Sequence, residues 1–190
     1  VNNLEFVNII RLNDKKRIKN KKNENIKIKL LSHACLLFKY NKFNLITDPW
    51  LKGLAFNESW IQYPSPYINS LKFKPSTILI THEHSDHLSI ETLKHYSKNT
   101  PIYFPAFPNK RIEKILKKNK FSNLNPMYFG KKYNLFNKIY ITCFQPISNF
   151  NDSIHLLEFS KYKILNLNDS GINYKIARNI GSVDIISSTF

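Results

Sequence analysis

Apolar and polar residues alternate one for one along Ile26-Lys27-Ile28-Lys29-Leu30. That is the pattern of a strand with one face turned to a core. Cys35–Tyr40 and Phe43–Thr47 are denser apolar runs, and the polar pair Asn41-Lys42 between them predicts a tight-turned hairpin. Thr77–Ile80 is short, β-branched and wholly apolar, which predicts a strand covered on both faces. Ser89–Lys98 then reads as a helix, with Ser89 as N-cap and Glu91 in the first turn. Asn109–Lys120 reads as an amphipathic helix with an Ile112, Ile115, Leu116 stripe. Ile102–Phe104 is a predicted strand, and Met127–Phe129 and Ile139–Phe144 are predicted strands of a second sheet. Ser153–Phe159 and Lys161–Leu167 predict another hairpin, followed by a helix over Tyr174–Asn179 and a strand over Val183–Ser187. Strands alternating with helices on 190 residues predict one α/β domain with a substantial core.

One stretch has no period. Leu51–Lys74 carries Phe56, Trp60, Tyr63 and Tyr67 around Pro64 and Pro66, directly after Trp50. A segment this long inside a compact domain is usually functional or mobile. A flap over a pocket and a second layer of core are level readings of its aromatics.

The candidate chemistry lies directly after the Thr77–Ile80 strand, in His82-Glu83-His84-Ser85-Asp86-His87. Imidazole and carboxylate are the ligands that Zn²⁺, Fe and Mn prefer. His82 and His84 are two apart and point the same way in an extended segment. Asp86 and His87 follow where the chain must turn, so one pair can serve one metal and the next pair a neighbour. A polar surface loop is the competing reading, and the buried strand that delivers these residues weighs against it.

These residues resemble the H-x-H-x-D-H signature of the metallo-β-lactamase superfamily. The resemblance implies a four-layer αββα sandwich with one or two metals at the sheet edge, Zn²⁺ first and Fe or Mn as alternatives. It implies His82 and His84 as ligands of the first metal and Asp86 and His87 as ligands of the second. Asp86 would also hold and orient the nucleophile. Asn166-Leu167-Asn168-Asp169-Ser170-Gly171 resembles a later motif that delivers a bridging carboxylate, which points to Asp169; an Asx-turn before Gly171 competes. Asp48, in Ile46-Thr47-Asp48-Pro49-Trp50, matches a motif whose Asp supports a metal-bound histidine without touching the metal; a turn-capping Asp competes. His33, in Ser32-His33-Ala34, stands where the family often has Gly-His, and a place at the site rim is level with a structural histidine.

The chain departs from the family pattern twice. Asn151-Asp152-Ser153 stands where relatives have His-Asp-Ser, and His155, two to four residues further on, is the remaining candidate for the missing imidazole. A last histidine after a further strand has no counterpart before Phe190, so a C-terminally truncated chain or a shortened paralogue is expected. Leu45–Leu51, Gly53, Ala55-Phe56 and Trp60 resemble the metallo-β-lactamase-like domain of CMP-N-acetylneuraminate hydroxylases, and more distantly N-acyl-phosphatidylethanolamine phospholipase D. Such hydroxylases often carry a Rieske iron–sulfur domain; Cys35 and Cys143 are isolated and cannot hold that cluster here.

Charge modifies this picture only in part. The formal net charge is +16, and its densest run is Asp14–Lys22. Residues 1–25 are expected to be a basic extension and 26–190 the metallo-β-lactamase-like domain. The run reads as a solvated linker, with a nucleic-acid arm as the minority reading. An anionic small-molecule substrate would also benefit from the field. No apolar run approaches the ~20 residues of a membrane span. Two cysteines and no secretory signal make a reducing cytoplasm the default. The expected function is a metal-dependent hydrolase that uses metal-activated water on an anionic ester, a phosphoester or nucleotide-sugar-like molecule. The alternative is a catalytically impaired domain that binds a nucleotide sugar or a partner.

Overall fold

In a computed structural model, residues 7–8, 26–63, 65–66, 71–146 and 151–188 are described. The alternating run at Ile26 becomes strand β2 (Ile26–Ser32), paired at its outer edge with a two-residue strand β1 (Val7–Asn8). β3 (Cys35–Tyr40) and β4 (Phe43–Thr47) form the expected hairpin, with Asn41 at φ 54° in its turn. β5 (Thr77–Leu79), β6 (Ile102–Pro105) and β7 (Leu124–Met127) then add in parallel, completing a seven-stranded sheet in sequence order. The second sheet has the order β12-β11-β10-β9-β8, from β8 (Lys132–Phe136), β9 (Ile139–Phe144), β10 (Ile154–Phe159), β11 (Tyr162–Asn168) and β12 (Ile185–Ser188). Three helices complete the described elements: α1 (Ile90–Leu93), α2 (Arg111–Lys118) and α3 (Tyr174–Ile180).

Strand alternation sorts the apolar side chains into layers. Phe38, Leu45 and Leu79 of the first sheet meet Ile141, Leu157 and Phe159 of the second, and the Phe38 and Phe159 rings stack at 5.7 Å. Their neighbours Ile46, Ile78 and Ile102 point the other way, onto Leu93 of α1 and Ile112 and Leu116 of α2. Ile176 and Ile180 of α3 cover Ile154, Leu156 and Leu165 on the far face of the second sheet. The result is the αββα sandwich. Each fully buried Leu, Ile or Phe adds about 1.5–3 kcal/mol of transfer free energy, so the inter-sheet layer and the layer under α1 and α2 both hold the fold together.

Several sequence expectations need correction. The strand expected at Met127–Phe129 is Leu124–Met127, and it belongs to the first sheet, parallel to β6. Pro126 is tolerated there because β7 is an edge strand, and Gly130 at φ 76° turns the chain away. β8 was not anticipated; its Lys132 and Asn134 are outward-facing polar residues suited to an edge. The helix expected over Ser89–Lys98 is α-helical only over Ile90–Leu93 and continues as turns. The strand expected at Val183–Ser187 is Ile185–Ser188. The basic run Asp14–Lys22 lies outside the described residues.

Candidate metal centre

The topology brings several chain segments to one edge of the sandwich. Asp48 follows the C-terminal end of β4, and Thr81 and His82 follow that of the parallel β5. The antiparallel turn between β2 and β3 returns His33 to the same edge, where the Thr47 hydroxyl donates to the Ala34 carbonyl at 3.2 Å. From the second sheet, Asp152 precedes β10 and Asp169 follows β11, its antiparallel neighbour. The Ser153 hydroxyl donates to the Thr81 carbonyl at 2.7 Å and ties the two sheets together at this point. Three residues around the site sit in the left-handed region, His33 (φ 39°), Asp48 (φ 40°) and Asn168 (φ 55°). Non-glycine residues hold that conformation only where the surroundings over-determine it, commonly at functional sites.

His82 Nε2 and His84 Nδ1 face each other at 2.9 Å. His82 Nε2 also lies 4.0 Å from Asp169 Oδ2. The other nitrogen of His82 is held from behind, with the Thr81 hydroxyl at 3.1 Å, the Asn168 carboxamide at 3.2 Å and Asp152 Oδ1 at 3.4 Å. That environment fixes which nitrogen looks into the site. Burial lowers the His82 pKa, and the neighbouring His87 adds to the effect.

His87 is fully buried among carboxylates. Its Nε2 lies 3.1 Å from Asp169 Oδ2 and 3.3 Å from Asp86 Oδ2, and its Nδ1 is 3.4 Å from Asp48 Oδ2. Burial alone would depress its pKa, but Asp169, Asp48 and Asp86 outweigh burial and raise it to about 12. Asp86 shows the converse: burial pushes its carboxyl up, yet contacts from His33 and His87 hold it well below the usual range. His33 Nε2 is 2.9 Å from Asp86 Oδ2. Asp48 is anchored separately, accepting from the Thr81 amide at 2.8 Å and the Thr81 hydroxyl at 2.9 Å.

These groups fit a metal ion. Both ring nitrogens of His87 are buried with no hydrogen-bond partner in line, despite the carboxylates at 3.1–3.4 Å, and Asp86 Oδ1 is buried with none. Buried polar atoms normally find partners, so His87 Nε2 and Asp86 Oδ1, left without one at the site, need an explanation. His82, His87 and Asp169 can each offer one ligand atom within 4.8 Å of the others, and so can His33, Asp86 and His87. Anionic oxygens and imidazoles are the donors a divalent ion takes.

Two sequence candidates fall elsewhere. His155 is buried within β10 with its Nε2 3.0 Å from the Ser153 hydroxyl, and it is not among the grouped side chains. Burial depresses its pKa to about 4. Asn151 is exposed, and its neighbour Asp152 turns inward instead, behind the His82 ring. The partnership of Asp152, Asn168 and Ser153 with Thr81 and His82 was missed from sequence; the signals were an Asp two residues before β10 and an Asn as the last residue of β11. The aperiodic segment lies beside the metal loop. The Phe56 amide donates to the Ser85 hydroxyl at 2.7 Å, and the Phe56 ring lies 5.9 Å from His84. Trp60, Gln62, Tyr63, Trp50 and His33 line a cleft of about 310 Å³. The segment thus divides: Trp50 is core at 1% exposure, whereas Trp60 and Tyr63 are exposed.

Residues 27–184 match the family described as "Beta-lactamase superfamily domain". Cytidine monophosphate-N-acetylneuraminic acid hydroxylase of Cricetulus griseus is 31% identical over 156 residues, 76% of this chain and 27% of that protein. The chain spans about a quarter of the length of the curated relatives it matches. Among solved structures, CmlA, a diiron β-hydroxylase from Streptomyces venezuelae, shares the fold with a TM-score of 0.64 at 20% identity, over 88% of this chain and 35% of that one. An isothiocyanate hydrolase from Delia radicum gut bacteria shares it with a TM-score of 0.63 at 14% identity, over 80% and 66%. At these identities the structural likeness speaks for the fold alone.

Proposed function

The chain belongs to the β-lactamase superfamily, and from that premise we propose that it is a metal-binding domain with hydrolytic chemistry directed at an anionic ester. The observation that carries this reading is the cluster of His82, Asp86, His87 and Asp169, with the exposed His84 against His82 at its rim and unpartnered atoms of His87 and Asp86 within it. A divalent ion there would act as a Lewis acid and bring the pKa of a water molecule near neutrality. His82 and His84 would hold one position through Nε2 and Nδ1, and His87 with Asp86 the other. Asp169, 3.1 Å from one histidine and 4.0 Å from the other, would serve both. Asp86 keeps Oδ1 unengaged among the described residues, so it can accept a hydrogen bond from an attacking water and hold it in line. The cleft beside His33 is at the small end of ligand-pocket size and offers aromatic walls to a substrate's apolar or ring portion. The net charge of +16 favours an anionic partner, such as a phosphoester or a nucleotide sugar. Zn²⁺ suits the donors, with Fe and Mn as alternatives, and a diiron protein shares the fold. The two free, buried cysteines suit a reducing cytoplasm, and no helix among the described residues is long and apolar enough to cross a membrane.

A second reading has its own observation. No third imidazole joins His82 and His84, because His155 is turned to Ser153. A position short of ligands favours a domain that binds a nucleotide sugar, as the name of the curated relatives suggests, without turning it over. The test is metal content of the purified chain followed by turnover of a panel of phosphoesters and lactones. Turnover that is lost with metal removal supports the hydrolase; metal bound without turnover, with saturable binding of a cytidine nucleotide sugar, supports the second reading.

A further inference from the structure

His33 belongs to neither pair of the histidine-rich loop. It comes from the turn between β2 and β3, 53 residues before Asp86 in the chain, and its Nε2 reaches to 2.9 Å from Asp86 Oδ2. Asp86 Oδ2 is the oxygen that also lies 3.3 Å from His87 Nε2, and His87 Nε2 lies 3.1 Å from Asp169 Oδ2. Donor atoms bonded at about 2.0–2.2 Å in a tetrahedron are about 3.3–3.6 Å apart. The spacings of 2.9 and 3.3 Å join His33, Asp86 and His87 as donors that one ion can take with small adjustment, and Asp169, 3.1 Å from His87 Nε2, lies between this group and His82 as the shared carboxylate.

The setting of His33 is that of a positioned group. Its backbone is held at φ 39°, a costly conformation for a residue that is not glycine. Its ring is clamped edge-on between Trp50 at 5.5 Å and His87 at 5.4 Å. The His33 side chain is partly exposed at the mouth of the cleft, and its Nε2 is aimed inward at the buried Asp86 carboxylate.

We propose that His33 is a direct metal ligand and completes the second position with Asp86, His87 and Asp169. This rests on the reading of the cluster as a metal centre. It makes that position the stronger one, with two imidazoles and two carboxylates, against two imidazoles and a shared carboxylate at His82 and His84.

The experiment loads the chain with Co²⁺ and counts the exchangeable imidazole proton resonances shifted by the paramagnetic ion. Four are expected, from His33, His82, His84 and His87. His33→Asn is the variant of choice because Asn tolerates the left-handed backbone. It should show three, with the tighter ion weakened by more than about 100-fold, beyond the 10–100-fold typical of a supporting partner. Three resonances in the natural chain, or an unchanged set in His33→Asn, would overturn the assignment while leaving the metal centre intact. A natural chain that binds no Co²⁺, Zn²⁺ or iron would remove the metal-centre reading itself, and the assignment with it.

Discussion

At the scale of single residues, Asp48 carries the clearest division of labour. It is fully buried, fixed by two hydrogen bonds from Thr81, and its Oδ2 is 3.4 Å from the ring nitrogen of His87 that faces away from the site. A carboxylate in that place sets the orientation of the imidazole without touching the ion. Asp48→Asn is therefore expected to weaken metal binding by roughly 10–100-fold, measured by competition with a chelator. Unchanged affinity would leave Asp48 as a turn residue only. His155 carries a prediction of another kind. Its pKa falls from an ordinary 6.5 to about 4 because it is buried, so the unfolded chain takes up a proton that the native chain refuses. The stability due to its neutral ring is present above pH 6.5 and is lost as pH falls toward 4. The decline of unfolding free energy across that window should be shallower in His155→Met; equal slopes in the two proteins would count against it.

At the scale of elements, the site is made by strand ends, and this decides what was legible in the sequence. The Thr77–Ile80 run and its His-rich continuation announce both a buried strand and a ligand loop, because period and residue type are local properties. Both hairpins were legible for the same reason. The inward turn of Asp152 was not, because it depends on β10 lying against the end of β5 across the two sheets, through the Ser153 bond to Thr81. His155 was ambiguous for a related reason: its register, opposite Asn166 and Cys143, is set by pairing and not by its own sequence. β7 lies at Leu124–Met127, ahead of the expected Met127–Phe129, and Pro126 within it costs no ladder bond on an edge strand. Ser153→Ala should remove the inter-sheet tether and cost about 1 kcal/mol in denaturant unfolding. Gly53 is a second element-level constraint. Its φ of 83° is strained for any residue with a Cβ, and the new methyl would also displace the Glu91 carboxylate, so Gly53→Ala should destabilise the chain by about 1 kcal/mol. A neutral result would mean that the Leu51–Trp60 turn is free to shift.

At the scale of the whole molecule, the two sheets act as a rigid frame whose inter-sheet core holds ligands from distant segments within hydrogen-bond distances. The basic extension adds only β1 to the edge of β2 among the described residues. A chain starting at Asn25 is expected to fold and to bind metal as the full chain does, checked by circular dichroism and metal titration. The central claim is that the cluster around His87 is a metal centre with one strong and one weaker position. The most direct measurement is the number of metal ions retained per chain after exhaustive dialysis. One tightly held ion is expected, with a second bound only when metal is supplied in excess. No retained metal, or two tight ions of which one is lost in His155→Ala, would contradict it.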